Sequence, residues 1–418
     1  MELDYGVGLI MKFAHISDID LGSYRSDENL SKLEEKAFKQ IMDKCLENGV
    51  DFVIISGDLF HNANPDLSTV ITCTKKMKEL YDKGIRFYMI YGSHDYTPGI
   101  ISIVDVFDSI GLVTNVFRHK TIGGKLILEF IKDDKTGIKM VGIPAMKKGL
   151  ENQYYKILDK ESLENEDGLK IFVYHSSIKE YIKKSDGEES ISINDLPKRF
   201  GYYAGGHYHN ALHLKLSEYG WIVFAGMPFS ARARDISKNI ERGFYIVEFN
   251  ETFGDPKFIP IHVCDHVAYE CDVLDENSID KLNAIDFHNK IVDVNIKGDE
   301  DSPAKESLIT RIKNVVRNIG GALHVRVRGS DSVDIYDDDI NIDGNDDKDR
   351  IEKDILKEKI SFIDDIIKTD NLRGEYGIQQ AIKLLNIIGE DKDPDEPAIQ
   401  YKNRKIKEGE ISLGIQGL

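Results

Sequence analysis

The stretch KFAHISDIDLG at residues 12–22 joins a short apolar run to two carboxylates and a glycine. The same arrangement returns in FVIISGDLFHNANP at 52–65 and in FYMIYGSHD at 87–95. Short apolar runs that break into glycine and polar residues are typical of buried strands followed by loops. Amphipathic patterns at 31–48 and 68–82 separate the three runs, so the strand and helix alternation predicts a largely parallel sheet flanked by helices.

Two local patterns predict finer features of this first part of the chain. Ser31 and Glu34 have the spacing of a capping box, which places the start of the first helix at Ser31. Residues 125–131 and 139–143 flank a turn-rich segment and therefore predict a hairpin.

The remaining patterns predict how the chain is divided into domains. Apolar runs at 170–174, 202–204, 220–225 and 244–249 predict a second set of strands, which closes a first domain at 1–255. A small α+β module follows at 256–329, with predicted strands at 266–273, 291–296 and 323–328 and a helix at 302–319. An acidic linker (330–349), a helical hairpin (350–390) and a tail (391–418) complete the predicted organisation.

The composition indicates a protein of the cytoplasm that does not enter a membrane. Hydrophobic residues make up 41% and charged residues 31% of the chain, and no apolar run approaches the ~20 residues of a membrane span. The first ten residues carry Glu2 and Asp4 and do not resemble a signal peptide; Met11 could be the natural start. The four cysteines show no CxxC spacing, which favours buried thiols in a reducing compartment.

The net charge of -18 does not decide whether the chain binds nucleic acid. A protein that grips phosphates usually offers a basic surface, and the whole chain does not. Much of the acid is local, however, because residues 331–349 form a nearly continuous acidic run of the kind that is usually a solvated linker.

Carboxylates and imidazoles follow five of the predicted strands directly. They are Asp18 and Asp20, Asp58, His94 next to the hydroxyl residue Ser93, His175, and finally His207 with His209. Because the carboxyl ends of strands in open α/β sheets meet at one crevice, these side chains can converge. Mixed oxygen and imidazole donors suit Mn²⁺, Fe or Zn²⁺ better than Ca²⁺. Two such ions about 3.5 to 4 Å apart would stabilise an in-line displacement at phosphorus.

Five motifs carry a resemblance to a known family: HISDIDLG (15–22), SGDLFHNANP (56–65), YGSHD (91–95), YHSS (174–177) and GGHYH (205–209). In this order they resemble the motifs of calcineurin-like metallophosphoesterases, and more narrowly those of the SbcD-type, or meiotic-recombination-eleven-type, DNA-repair nucleases. The resemblance covers residues 12–230. It implies an α/β fold in which a sandwich of two β-sheets is flanked by helices, followed by a small α+β capping domain and a C-terminal helical segment.

The resemblance also implies a site, a substrate and partners. One ion would be bound by Asp18, Asp20, Asp58 and His209, and the other by Asp58, Ser93, His175 and His207. His94 would lie beside the scissile phosphate of DNA and stabilise the transition state or protonate the leaving oxygen. Mn²⁺ is the expected metal, and the expected partners are a second copy of the chain and an SMC-like ABC ATPase of the SbcC type.

Two positions depart from the family pattern. Asp20 stands where the family has histidine, and Ser93 stands where it has asparagine. The extra carboxylate adds negative charge that would repel an incoming phosphate, and serine is a shorter and neutral ligand. We therefore expect a weakened metal site and activity that is reduced or shifted in metal preference, but not absent.

Three functions remain open on the sequence. The first is a metal-dependent exonuclease and endonuclease subunit of a complex that repairs DNA double-strand breaks. The second is a phosphodiesterase acting on small substrates, which would not need the modules after residue 255. The third is a catalytically degenerate scaffold that binds DNA or recruits an ATPase, and Asp20 and Ser93 are the residues that favour it.

Overall fold

The structure is a computed structural model, and it describes residues 10–329 apart from 26, 96–100, 147–150, 183–189, 231–239, 273–280, 283–284 and 298–308. The described residues all belong to one compact unit. The predicted acidic linker (330–349), helical hairpin (350–390) and tail (391–418) lie outside the described residues.

The first part of the chain alternates strands with helices. In order, these elements are β1 (Met11–Ile16), α1 (Glu28–Glu47), β2 (Phe52–Ile55), α2 (Leu67–Asp82), β3 (Arg86–Met89), α3 (Ile103–Ser109) and β4 (Thr114–Asn115).

Strands dominate the rest of the described chain. In order, the elements are β5 (His119–Ile122), β6 (Lys125–Leu128), β7 (Ile131–Lys132), β8 (Lys139–Ile143), α4 (Glu151–Ile157), α5 (Lys160–Asn165), β9 (Lys170–His175), β10 (Ser177–Ile178), β11 (Ser190–Ile191), β12 (Tyr202–Gly206), β13 (Leu212–Leu216), β14 (Gly220–Phe224), β15 (Gly243–Phe249), β16 (Lys257–Pro260), β17 (Asp265–Asp272), β18 (Lys290–Lys297) and β19 (His324–Gly329).

Two six-stranded sheets form the body of the molecule. The first has the order β16-β15-β1-β2-β3-β4, and the second has the order β13-β14-β12-β9-β8-β7. The four strands β1 to β4 are parallel, as are β14, β12, β9 and β8, whereas the strands toward the other edges run antiparallel. The predicted α/β sandwich of two sheets flanked by helices is therefore confirmed.

The side chains of β1 show how the two layers are held together. Phe13 points into the space between the sheets, where its ring lies 5.0 Å from that of Tyr202 in an edge-to-face contact. Ala14 and Ile16 point the opposite way, into the core that also contains Phe38 of α1. This alternation follows from the two-residue period of a strand, and it buries both faces of the sheet.

The start of α1 differs from the prediction. Asp27 is the N-cap, and its carboxylate accepts hydrogen bonds from the backbone amides of Asn29 and Leu30, both at 3.0 Å. Ser31 therefore lies inside the first turn, and the predicted capping box is wrong. Aspartate and serine are equally favourable N-caps. The helix can therefore begin after Asp27, which precedes Ser31 in the chain.

Glu34 of α1 holds the loop that follows β1 instead of capping its own helix. Its carboxylate accepts hydrogen bonds from the amide of Gly22 at 2.6 Å, from the amide of Ser23 at 3.2 Å and from the Ser23 hydroxyl. The side chain is buried. This loop carries Asp18 and Asp20, so Glu34 anchors the segment that presents them.

We expect Glu34→Gln to change how stability depends on pH. Burial raises the pKa of Glu34 from 4.5 to about 7, although hydrogen bonds from Ser23 and Gly22 oppose the shift. Between these values the folded chain keeps a proton that the unfolded chain releases, so stability from this group is full below about pH 4.5 and is lost as the pH rises through 7. A shift of this size corresponds to roughly 3 kcal/mol.

Denaturant unfolding in the presence of a chelator, at about pH 5 and about pH 8, measures this effect. The free energy of unfolding of the wild type should fall relative to that of Glu34→Gln between the two conditions. A difference between the two proteins that does not change with pH would contradict the prediction.

The predicted hairpin at 125–143 is wrong for its first strand. β6 pairs with β5 in a separate two-stranded sheet, and only the short β7 pairs with β8 across the turn. Within that turn, Asp133 accepts hydrogen bonds from the amide and hydroxyl of Thr136, both at 2.7 Å. The turn was predictable, whereas the partner of β6 depends on a strand that precedes it in the chain.

A three-stranded parallel sheet of β17, β18 and β19 forms a separate module. It has its own core, to which β18 and the helical residues Ile312 and Val316 contribute. The module contacts the start of α1, where Asn29 donates a hydrogen bond to the carbonyl of Leu323 at 2.7 Å. The expected boundary at residue 255 falls before β16, whose pairing with β15 extends the first sheet to Pro260.

Among the described residues, the structure contains no helix with the length and apolar character that a membrane span requires.

Candidate metal centre

The loops after β1 and β2 run side by side beyond the ends of their strands. The amide of Asp18 donates to the carbonyl of Gly57 at 3.1 Å, and the amide of Asp20 donates to the carbonyl of Asp58 at 3.0 Å. These backbone hydrogen bonds continue the parallel pairing into the loops. As a result, carboxylates about 40 residues apart in sequence are held next to each other.

The backbone at the centre is strained. Asp18, Asp20, Asp58 and His207 have φ angles of 49°, 51°, 53° and 77°, and they are four of the six non-glycine residues with positive φ in the described part of the chain. Such conformations cost on the order of 1–3 kcal/mol each and persist only where the surroundings enforce them. Their concentration at one point marks this point as a functional site.

Asp18, Asp58 and His175 form a buried group whose ligand atoms lie within 4.8 Å of one another. His175 Nε2 lies 3.1 Å from Asp58 Oδ2 and 4.0 Å from Asp18 Oδ1. His175 Nδ1 donates a hydrogen bond to the carbonyl of Ser56 at 2.8 Å, because a carbonyl can only accept. Nε2 therefore faces the carboxylates, which is the arrangement of a metal-binding histidine.

The charges of this group show that it requires a positive partner. Burial opposes charge on His175, but Asp58 and Asp18 outweigh it and raise the pKa of His175 to about 10. Burial likewise opposes charge on Asp58, yet His175 holds the pKa of Asp58 well below its usual value. Burial raises the pKa of Asp18. Without a cation, the proton on His175 compensates the charge of Asp58, whereas burial favours the neutral form of Asp18.

The two later histidines approach the same group. The amide of His207 donates to both carboxylate oxygens of Asp18, at 3.0 and 3.1 Å. The rings of His175 and His207 lie 5.3 Å apart. Burial raises the pKa of Asp18, and the charges of His175 and His209 partly offset this, so His209 also lies close to Asp18.

The third loop delivers Ser93 and His94 to Asp58. The hydroxyl of Ser93 lies 3.4 Å from Asp58 Oδ2, and the amide of His94 donates to Asp58 Oδ1 at 2.8 Å. Asp58 therefore contacts groups from three different loops.

Two glycines provide the space for this packing. A Cβ atom at Gly92 would overlap the carboxylate of Asp58, and a Cβ at Gly206 would lie 2.6 Å from His175 Nδ1. Any side chain at either position would displace a member of the centre. The glycines thus form a cradle around the carboxylate and the imidazole.

Asp20 lies with a second group, which contains His61 and His94. Asp20 Oδ1 lies 3.5 Å from His61 Nδ1, and the rings of His61 and His94 stack with centroids 5.0 Å apart. His94 Nδ1 donates a hydrogen bond to the carbonyl of His61 at 2.9 Å. From its position after the GDLF turn, His61 was expected to face either phosphate or solvent, and its side chain lies against Asp20.

Asp95 is a positioning residue whose role was not predicted from the sequence. Its buried carboxylate accepts hydrogen bonds from the amides of Leu59, Phe60 and Gly92, at 3.3, 3.1 and 2.9 Å. It thereby ties the loop after β2 to the loop after β3. The carboxylate directly after His94 in YGSHD was the signal that could have identified it.

His15 stabilises the loop after β2 by a hydrogen bond to Ser56. It is buried within β1 and contacts the hydroxyl of Ser56 at 2.9 Å and that of Tyr202 at 3.0 Å. Burial lowers the pKa of His15 to about 3, so the ring is neutral. These hydrogen bonds connect the two sheets. One of them is to Ser56, whose carbonyl accepts the hydrogen bond from His175.

The donor atoms at this edge fit divalent cations. Three buried carboxylates and several imidazoles converge there, and Asp20 Oδ1, His61 Nδ1 and His175 Nε2 are buried without a well-aligned hydrogen-bond partner. Buried polar atoms are rarely left unpaired, and a bound cation satisfies such oxygens and imidazole nitrogens. The structure thus brings the predicted residues of five loops to one place, with Asp20 turned toward His61 and His94.

Comparison with known proteins identifies relatives of the chain. Residues 11–211 match the family described as calcineurin-like phosphoesterase. The chain is 25% identical over 419 residues to the DNA double-strand break repair protein Mre11 of Saccharolobus solfataricus, covering 97% of this chain and 94% of that protein. It is 27% identical over 292 residues to the protein of the same name from Archaeoglobus fulgidus, covering 64% of this chain and 62% of that protein.

A bacterial protein is similar over a shorter region. The uncharacterized metallophosphoesterase YhaO of Bacillus subtilis is 23% identical over 262 residues, which cover 59% of this chain and 58% of that protein. The family match spans β1 to β12 and thus contains every loop of the centre. Residues 11–211 therefore form a calcineurin-like metallophosphoesterase domain, and the chain is a homologue of the archaeal Mre11 proteins.

Proposed function

We propose that this chain is a DNA phosphodiesterase, with exonuclease and endonuclease activity, that depends on two divalent ions and acts in the repair of double-strand breaks. The observation that carries the proposal is the buried group of Asp18, Asp58 and His175 at the meeting point of the strand-end loops. Homology to proteins described as acting in DNA double-strand break repair supports DNA as the substrate.

The proposed ion sites share Asp58. Asp18, Asp58, His209 and one oxygen of Asp20 would hold the first ion. Asp58, Ser93, His175 and His207 would hold the second. Adjacent divalent ions, with Mn²⁺ as the proposed metal, would supply Lewis-acid stabilisation of the charge that develops on the attacking and leaving oxygens.

His94 is proposed to protonate the leaving oxygen. Its Nδ1 is engaged with the carbonyl of His61, so Nε2 is the atom that can carry the transferred proton. Burial opposes protonation, but the carboxylates of Asp58 and Asp20 outweigh it and raise the pKa of His94 above its ordinary value. The raised pKa favours the protonated form of His94, and its backbone hydrogen bond to Asp58 would fix its position next to the ions.

The proposed assembly includes the modules outside the phosphoesterase domain. We propose that the first domain, predicted as 1–255 and extended to Pro260 by β16, is the nuclease domain, and that the module after it, up to residue 329, is a capping domain that contacts DNA. Residues 350–390 would dock onto an SMC-like ABC ATPase of the SbcC type. The proposed location is the cytoplasm, in keeping with four cysteines that are all free thiols.

A homodimer is proposed from exposed apolar residues of α2 and of the segment around α3. Leu67 and Ile71 lie on the first turns of α2, and Ile101, Val106 and Ile110 lie just before, within and just after α3. Leu67 and Ile101 are each 76% exposed. Apolar side chains with this exposure gain free energy when a second surface covers them.

The substitution Ile110→Asp is expected to weaken the dimer at least about tenfold, because a buried charge would replace an apolar contact. Light scattering across a range of protein concentrations measures the dissociation constant. Ile122→Asp, which places the same charge on β5, is the matched control. A chain that is monomeric before substitution, or equal dimerisation of both variants, would remove this part of the proposal.

The nuclease proposal is tested on metal-free protein reloaded with Mn²⁺. We expect cleavage of DNA that requires the metal, and little turnover of a small chromogenic diester. Turnover of the diester without cleavage of DNA would identify a phosphodiesterase for small substrates. Failure to cleave either substrate, together with failure to bind Mn²⁺, would identify a non-catalytic scaffold.

The double substitution Asp20→His and Ser93→Asn is expected to raise Mn²⁺-dependent cleavage by roughly tenfold, the lower end of the effect of changes around metal ligands. The serine hydroxyl lies 3.4 Å from Asp58, and its side chain is one atom too short to reach where an amide oxygen would. The assay compares rates over a range of Mn²⁺ concentrations. An unchanged rate at every concentration would show that these two residues do not limit activity.

A further inference from the structure

A pocket at the N-terminal ends of β9, β12 and β14 lies away from the metal centre. It has a volume of about 560 Å³, and its lining includes Lys170, the first residue of β9, Gly201, which precedes β12, and Gly220, the first residue of β14. The metal centre lies at the opposite ends of β9 and β12, at His175 and His207. A six-residue strand separates its two ends by roughly 15–20 Å, so a ligand in this pocket would not touch the ions.

Lys170 is a buried cation of this pocket. The residue is 3% exposed, and its ammonium donates hydrogen bonds to the carbonyls of Leu163 at 2.7 Å and Glu164 at 3.2 Å. The ammonium also lies 4.9 Å from the centroid of the Phe200 ring. In the described part of the chain, no carboxylate lies within ion-pair distance of Lys170. Two neutral carbonyls and a ring do not neutralise the charge, and they leave one of the three ammonium donors for a ligand.

Arg199 adds a second cation to the same pocket. Burial lowers the pKa of Lys170, and the charge of Arg199 lowers it further, so the two cations are within electrostatic reach of each other. Arg199 likewise has no carboxylate within ion-pair distance among the described residues. Because two cations repel each other, an anion beside them would be stabilised by both.

The backbone of Arg199 has a conformation that arginine rarely adopts. Its φ angle is 65°, and its amide donates a hydrogen bond to the carbonyl of Glu218 at 3.0 Å. Outside the metal centre, Asn289 is the other non-glycine residue with positive φ in the described part of the chain. Left-handed backbone is unfavourable for arginine, and strain of this kind is concentrated at sites that bind ligands or catalyse reactions.

The acidic residues of the pocket already have a partner. The carboxylate of Glu164 accepts a hydrogen bond from the amide of Lys198 at 2.7 Å, and that of Glu218 lies 2.8 Å from the Lys198 ammonium. Lys198 therefore compensates the acidic side of the pocket. Lys170 and Arg199 remain as the charges that a ligand would neutralise, so the pocket is suited to an anion.

We propose that this pocket binds a small phosphate monoester of the mononucleotide class, with its phosphate held by Arg199 and Lys170. A guanidinium presents its donors in a fork that matches phosphate oxygens. The cavity is larger than a phosphate alone requires, and Leu169 and Phe200 in its lining suit the uncharged part of an organic ligand. The mononucleotide assignment rests on the proposed function, because an exonuclease releases mononucleotides as products.

Calorimetric titration of the full-length protein in the presence of a chelator tests this site without ions in the metal centre. The probes are inorganic phosphate, deoxyadenosine monophosphate and deoxyadenosine. We expect one saturable site for the two phosphate compounds, tighter binding of the monophosphate, and no binding of deoxyadenosine. Arg199→Asn should weaken the binding of both phosphate compounds at least about tenfold, because charge-assisted hydrogen bonds are lost.

The variants are chosen to fold. Asparagine and glycine both tolerate positive φ, so Arg199→Asn and a second variant, Arg199→Gly, remove the charge without adding strain. The matched control is Arg86→Asn, the same change at the exposed first residue of β3, which should bind phosphate as the wild type does. Thermal unfolding establishes that each variant is folded. Equal affinity of the wild type and the folded Arg199 variants, or no saturable binding by the wild type, would overturn the inference.

The titration also separates the ligand assignment and the nuclease proposal. A monophosphate that binds no more tightly than phosphate would overturn the mononucleotide assignment and identify free phosphate as the ligand. The loss of binding in Arg199→Asn can be read without metal, even if the wild type cleaves no DNA. Conversely, Mn²⁺-dependent cleavage by a protein that does not bind phosphate at this pocket would support the proposed function and remove the second site.

Discussion

The substitution Asp58→Asn is expected to lower Mn²⁺-dependent DNA cleavage by about 10²–10³-fold, the loss typical of removing one electrostatic stabiliser of a transition state. Asp58 is buried, and its two oxygens contact His175 Nε2 at 3.1 Å and the amide of His94 at 2.8 Å. It is also the one residue shared by both proposed ions. Asparagine keeps the size of the side chain but removes its charge and one acceptor oxygen.

Cleavage assays and calorimetric titration with Mn²⁺ measure the two consequences of this change. The matched control is Asp43→Asn, which removes a carboxylate from the exposed side of α1, where it pairs with Lys76. Thermal unfolding should find both variants folded. Activity of Asp58→Asn within about tenfold of the wild type would exclude a shared bridging carboxylate at this position.

The substitution His94→Gln is expected to lower kcat for DNA cleavage by about 10²–10⁴-fold, the usual contribution of a general acid. Glutamine is close in size to histidine but cannot donate a proton that is then transferred. The loss should be much smaller for a chromogenic diester with a good leaving group, because a stable phenolate does not need protonation. KM should change little if His94 acts in the transition state only.

Parallel assays on DNA and on a chromogenic diester, with wild type, His94→Gln and the control His119→Gln, decide this assignment. Equal losses on both substrates would show that His94 binds or orients the phosphate and does not protonate the leaving oxygen. A loss confined to KM would have the same meaning.

Local sequence patterns predicted the strands of the two sheets well but failed where two signals competed. The runs that became β1, β2, β3 and β9 were predictable because each is apolar, short and followed by a polar loop. The start of α1 was not, because Asp27 and Ser31 are both good caps and only the fold determines which amides each can reach. Glu34, the second member of the predicted capping box, instead accepts hydrogen bonds from the amides of Gly22 and Ser23.

The environment of Asp20 could not be predicted either. The resemblance to a family assigned its position to the first ion, whereas the structure turns its carboxylate toward His61 and His94. Asp95 was overlooked for a similar reason, since its three hydrogen-bond donors come from two other segments of the chain. Neither arrangement can be predicted from the spacing of residues that are close in sequence.

The sequence alone determined where the strands lie along the chain, which residue types follow them and where glycines stand beside those residues. Each of these depends only on residues that are close in sequence. The tertiary structure alone decided which of those groups meet, as in the hydrogen bonds from His207 to Asp18 across 189 residues. It also decided their charge states, because burial and the nearest opposite charge set the protonation of His175 and Glu34. Contacts between distant segments depend on how two sheets pack, and packing is a property of the whole folded domain.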